Sequence, residues 1–146
     1  MNKGNEIRIS VRELVEFAYR SGDLDSRFTG MSRALEGAKL HRKLQSLNSE
    51  KAVNEGERYQ KEISISYGTD YKGLFFLISG RIDGITENSL GTTLDEIKTV
   101  ECPLNLIDEE SYPVYWAQAK CYAFMYGVQK RLESINVQIT YYNIDS

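Results

Sequence analysis

Three residues are spaced so that they can meet in one small volume: Asp83, and Glu96 with Lys98 two positions further on. Glu96 and Lys98 lie in Leu94-Asp95-Glu96-Ile97-Lys98-Thr99-Val100, a strand-like run. Side chains alternate there, so Leu94, Glu96, Lys98 and Val100 share one face while Asp95, Ile97 and Thr99 take the other. Asp83 lies in Gly80-Arg81-Ile82-Asp83-Gly84-Ile85, and the polar segment Glu87-Asn88-Ser89-Leu90-Gly91 separates the two runs. A turn symmetric about the Ser89–Leu90 bond sets Asp83 opposite Glu96, with Cβ atoms roughly 4.5–5.5 Å apart. Like charges so opposed destabilise a sheet unless something positive sits between them. Leu94 and Val100 imply that Glu96 is buried, where an unneutralised second carboxylate is hard to tolerate.

Carboxylates at this separation suit a hard cation such as Mg²⁺ or Mn²⁺. At a phosphodiester such an ion lowers the pKa of its water and neutralises charge in the transition state. Lys98, beside Glu96, can position or activate the attacking water or stabilise developing negative charge. The backbone carbonyl of Ile97 can add a ligand. So can the neutral imidazole of His41, the only histidine, which tilts preference towards Mn²⁺. Plainer readings stay open: Glu96 and Lys98 as an exposed ion pair worth ~1 kcal/mol or less, and His41 as a structural side chain.

The elements that must position these groups follow from periodicity. Glu6-Ile7-Arg8-Ile9 is a short extended lead-in, and Ser10-Val11-Arg12-Glu13 fits a capping box that opens a helix ending near Ser21-Gly22. Val11, Leu14, Val15 and Ala18 form its buried stripe. Met31 to about Leu47 reads as a second helix, with Ala34, Gly37, Ala38 and His41 three or four apart, followed by a polar loop from Asn48 to Glu57. Arg58 to Tyr67 is the first strand of a meander, with its turn at Gly68-Thr69-Asp70. A second strand from Lys72 to Thr86 places Phe75, Leu77, Asp83 and Ile85 on one side and Phe76, Ile78 and Ile82 on the other. Asp83-Gly84 is itself a possible hairpin turn, although Glu87 to Gly91 leaves stronger strands on both sides. Glu101 to Ser111 is a loop, and Pro113 opens a long helix. Val114, Ala117, Cys121, Phe124, Val128 and Leu132 recur at helical spacing and are expected to face the sheet, with Gln118 and Tyr122 at the border of that stripe. Asn136 to Tyr142 is a last strand.

Composition sets the frame. The 146 residues, 41% hydrophobic and 27% charged, suit one domain with a real core. The longest apolar run, Leu74 to Ile78, is far short of the ~20 residues of a membrane helix, and the amino terminus lacks a signal-peptide core. The expectation is a cytoplasmic, non-membrane protein. Cys102 and Cys121 are too few for a zinc or iron–sulfur ligand set and read as free thiols. The net charge of −3 argues mildly against a pure phosphate-gripping protein, although Arg27, Arg33, Lys39, Arg42 and Lys43 against the single Glu36 make a local basic segment. That segment meets nucleic acid or is simply a solvated helix face. The abrupt carboxyl end suggests a domain cut from, or fused to, something larger.

Asp83 followed by Glu96-Ile97-Lys98 on the next strand resembles the PD-(D/E)XK nuclease signature, with Ile82 where the signature has proline. Gly80-Arg81-Ile82-Asp83-Gly84, Glu96-Ile97-Lys98-Thr99, upstream Glu36-Gly37 with His41, and downstream Gln118 with Tyr122 are similar to the RecB-like branch in its usual order. The resemblance covers roughly His41 to Tyr122. It implies an α/β fold with a mixed sheet, a restriction-endonuclease-like αβββαβ core with flanking helices. It also implies Mg²⁺- or Mn²⁺-dependent cleavage of DNA, at ends or in single strands, with Gln118 and Tyr122 facing the strand near the scissile phosphate. Iron–sulfur members of the branch carry four cysteines, so no cluster is expected here. The chain looks closer to cluster-free nuclease domains, including those ahead of helicases of the DinG/XPD type, and a fused or associated helicase is the expected partner. Two other readings stand beside it: a catalytically silent nuclease-fold module binding DNA or a helicase, and a structural domain whose charges are incidental.

Overall fold

The computed structural model describes residues 6–19, 31–55, 57–101, 103–108 and 111–143. Its order is β1 (Glu6–Ser10), α1 (Val11–Ala18), α2 (Met31–Glu55), β2 (Arg58–Tyr71), β3 (Leu74–Asn88), β4 (Gly91–Val100), a 3₁₀ turn (Leu104–Leu106), α3 (Pro113–Lys130) and β5 (Asn136–Asn143). The fold is α/β with a mixed five-stranded sheet, as expected. Among the described residues no helix is long and apolar enough to cross a membrane. The first helix ends at Ala18 with Tyr19 as its C-cap, short of the stop expected near Ser21-Gly22. Residues Ser21, Gly22, Arg27 and Cys102, and the side chains of Arg33, Ala34, Glu36, Gly37 and Ala38, lie outside what is described.

β3 is the hub. β2 pairs antiparallel along one edge of it, from Tyr71↔Leu74 to Arg58↔Glu87. The other edge is shared: β1 runs parallel to residues 75–79, and β4 runs antiparallel to residues 84–88. Between them, Gly80 to Asp83 has no strand on that side. The lead-in segment is thus a strand of the sheet, and its end at Ser10 and the broken β3–β4 ladder bound one gap. β5 closes the far side, parallel to β4.

Ser10 caps α1 with the expected reciprocal pair, its Oγ accepting from the Glu13 N–H at 3.0 Å while Glu13 Oε1 accepts from the Ser10 N–H at 3.2 Å. The turn between β3 and β4 falls at Ser89-Leu90, with Asn88 Oδ1 accepting from the Leu90 N–H at 2.8 Å, so Asp83-Gly84 is not a hairpin turn.

Four expectations are corrected. The α2 helix does not stop at Leu47 but continues to Glu55, because its stripe carries on: His41, Gln45, Asn48 and Ala52 recur at helical spacing, and Gln45 and Ala52 are buried. The β2–β3 turn is Lys72-Gly73, not Gly68-Thr69-Asp70. Both turn residues have positive φ (50° and 80°), the combination whose twist suits a two-residue hairpin. Gly68 stays inside the strand, where a Cβ would lie 2.6 Å from the Phe75 ring. The α3 helix is rotated from the expected stripe: Phe124 and Val128 are more than half exposed, while Gln118, Ala119, Tyr122, Ala123, Met125 and Tyr126 face inward. Alternation along β3 also breaks, since Ile82 and Ile85 are both fully buried in one core cluster and Ile78 packs on it. Gly80 faces Tyr122 of α3, whereas Gly84, which a regular strand would place on the same side, faces Tyr59. The strand turns over between them. Opposite Asp83, Glu62 of β2 takes φ 52° and leaves the pairing.

Candidate active site

The gap in β3 is where the charged residues meet. Pairing of β3 with β4 ends at Gly84↔Asp95, one step before Asp83 and Glu96 would face each other. Side chains take over the ladder's work: Asp83 Oδ2 accepts from the Ile97 N–H at 2.8 Å, and the Asp83 N–H supports the Glu96 carboxylate. The Asp83 carbonyl accepts from Gln45 Nε2 at 3.0 Å. A buried backbone carbonyl needs such a partner, and α2 supplies it. His41, one helical turn before Gln45, brings Nδ1 to 3.8 Å from Asp83 Oδ1, so α2 holds both ends of Asp83.

On β4, Lys98 Nζ donates to Gln118 Oε1 at 2.6 Å and lies 3.5 Å from Glu96 Oε2 and 4.9 Å from the centre of the Tyr115 ring. Gln118 Nε2 reaches towards the Tyr122 hydroxyl at 3.5 Å. The rotation of α3 is explained by this chain. Gln118 belongs on the inner face because its amide oxygen takes the lysine, and Tyr122 packs on Gly80, the one residue type that leaves it room: a Cβ there would be 2.5 Å from its ring. The resemblance has Gln118 and Tyr122 facing a DNA strand; here both are turned inward, holding Lys98 and filling the core.

Burial sets the electrostatics. The Glu96 side chain is 3% exposed and its pKa is raised to about 7, first by burial and then by Asp83, with Lys98 opposing. Lys98 is lowered by burial, against the pull of Glu96. His41 is lowered by burial, with Asp83 opposing and Lys98 and Arg12 of α1 adding to the shift, which leaves its imidazole neutral at pH 7. Glu96 Oε1 is buried with no hydrogen-bond partner. An orphaned carboxylate oxygen beside a second carboxylate is a costly arrangement without a cation. Among the described residues no three His, Cys, Asp or Glu side chains converge as a ready ligand cluster. The oxygens left for a hard cation are Asp83 Oδ1 and Glu96 Oε1, with His41 Nδ1 3.8 Å from the first and Ile97 tied to the pair through its N–H. The site opens at a rim where the side chains of His41 and Asp83 are 31% and 19% exposed.

Sequence reasoning missed Gln45, Arg12 and Tyr115. Gln45 was within reach: it is four residues after His41, on the stripe that marks the buried face of α2. Tyr115 precedes Gln118 by three residues, one turn along the same helical face.

No known protein-family profile matches the chain, and no curated protein matches it. Solved structures do. The crystal structure of SSO0001 is similar over 100% of this chain and 66% of that one, with a TM-score of 0.62 at 19% sequence identity. The chain spans just under two thirds of that protein's length, and at this identity the similarity shows a shared α/β fold.

Proposed function

We propose that this chain is a divalent-metal-dependent deoxyribonuclease of the PD-(D/E)XK, RecB-like kind, cutting at DNA ends or in single strands. The observation that carries the reading is the acid pair of half-buried Asp83 and buried Glu96, in which Glu96 Oε1 has no partner although Lys98 stands 3.5 Å from its sister oxygen. A structural ion pair would satisfy both oxygens.

Mg²⁺ or Mn²⁺, when bound, supplies Lewis acidity towards the phosphate and the attacking water. The protein does the rest. Asp83 and Glu96 set the place of the charge. Gln118 fixes the Lys98 ammonium, so that it meets the developing negative charge on the phosphate oxygens without reorganising. Lys98, lowered by burial, can also hold or release a proton at the attacking water. Neutral His41 offers a lone pair at the open rim.

The test is cleavage of end-labelled single-stranded and duplex DNA against added Mg²⁺ or Mn²⁺. Cleavage that needs the ion and is lost in Asp83→Ala and Lys98→Ala supports the reading. DNA binding with no cleavage under either ion makes the chain a silent nuclease-fold module instead.

A further inference from the structure

Next to Lys98 lies a group of three tyrosines that the phosphate chemistry does not use. Tyr112, the cap residue before α3, stacks on Tyr115 with ring centres 4.7 Å apart and planes 20° from parallel. Tyr141 of β5 lies against both, at 5.9 Å from Tyr112 and 6.3 Å from Tyr115. Tyr141 is the register partner of Lys98, and parallel register partners point to the same face. The Lys98 ammonium sits over the Tyr115 ring. All three tyrosines are half-buried, and the Tyr141 hydroxyl is buried without a hydrogen-bond partner. This group stands apart from the buried cluster under α1 and α3, whose tyrosines Tyr122 and Tyr126 are packed among aliphatic side chains: here the rings stack on one another, are partly exposed and begin at a buried lysine.

Aromatic platforms beside a cation are how proteins hold single-stranded nucleic acid, because each base has a π-face and each linkage a negative charge. Bases already stacked within a duplex present no such face. We infer that the tyrosine group is a base-stacking subsite for a single strand, with a base one or two nucleotides along from the scissile phosphate packed on the Tyr112 side of the stack while Lys98 takes the phosphate. This rests on the nuclease reading for the position of the scissile phosphate, but stacking itself needs no cleavage.

Binding is measured in EDTA with a short single-stranded deoxyoligonucleotide, the matching duplex, and single strands carrying one abasic sugar at successive positions. In the parent, one abasic position weakens single-strand binding about ten-fold. The Tyr112→Ala variant binds the intact strand about ten-fold more weakly and is indifferent to that abasic position, Tyr112→Trp restores both, and duplex binding is unchanged throughout. A single-stranded ribo-oligonucleotide that behaves the same way supports stacking irrespective of the sugar. The inference is overturned if no abasic position matters to the parent, if Tyr112→Ala binds as the parent does, or if single-strand and duplex binding fall together. Loss of metal-dependent cleavage with the abasic effect intact sinks the nuclease reading and leaves the stacking subsite. Cleavage with no abasic effect does the reverse.

Discussion

The Ile97 N–H donates to Asp83 Oδ2 at 2.8 Å, where a regular ladder would have paired β3 with β4. A carboxylate oxygen has replaced a backbone acceptor, and the β3–β4 ladder is open at Asp83. Asp83→Asn keeps an acceptor for Ile97 but removes the charge. It is expected to fold, to abolish metal-dependent cleavage, and to move Glu96 from about 7 towards its ordinary range, since the Asp83 charge is one cause of the shift. Carboxyl titration followed by NMR checks this.

Glu96 ties stability to pH with a definite sign. Its folded pKa of about 7 lies above its ordinary 4.5, so the folded chain binds more protons between those values and this contribution is lost as pH rises through about 7. The size is on the order of 3 kcal/mol. His41 works the other way, its lowered pKa favouring the folded state as pH rises through 6.5. The difference between parent and Glu96→Gln isolates the glutamate: in urea unfolding without metal, the variant gains on the parent from pH 5 to pH 8, and a flat difference contradicts the assignment.

Gln45 is a positioning residue for Asp83. Gln45→Leu keeps its bulk but leaves the Asp83 carbonyl without its donor, which costs about 1–3 kcal/mol. Cleavage is expected to fall through weaker dependence on metal concentration, seen as a shift of the Mn²⁺ titration midpoint to higher concentration. A loss of stability with an unmoved midpoint would make Gln45 merely structural.

Gly80→Ala drives a methyl into the Tyr122 ring, and overpacking of this kind costs about 1–3 kcal/mol. Tyr122→Leu in the same chain removes the clash. Thermal unfolding of the two single variants and the double variant is expected to show the second change recovering part of the first loss.

The legible parts of the fold were those where local chemistry and tertiary demand agree. Ser10 with Glu13, Pro113 as the first residue of α3, and Asn88 with Gly91 around a two-residue turn each have a local mechanism, and from that turn the Asp83–Glu96 opposition followed. Two of the errors share a source. Where the site's polar residues sit inside, hydrophobic periodicity points the wrong way: Gln118 displaced Phe124 and Val128 from the inner face of α3, and Gln45 carried α2 past its apparent end. The face reversal in β3 is absent from the pattern of β3 itself, and it lies opposite Glu62 of β2, which has φ 52° and leaves the pairing. The parallel pairing of β1 with β3 joins residues about 70 apart in sequence, and five residues of lead-in do not announce their partner.

Whether the Asp83–Glu96 pair holds a divalent ion is read by calorimetric titration of Mn²⁺ into the metal-free protein at pH 8. Saturable binding is expected, and it is lost in Glu96→Gln and Asp83→Asn while both variants remain folded by circular dichroism. A folded parent that gives no binding heat and no rise in Tm with Mn²⁺, or variants that bind as the parent does, would contradict binding at this pair.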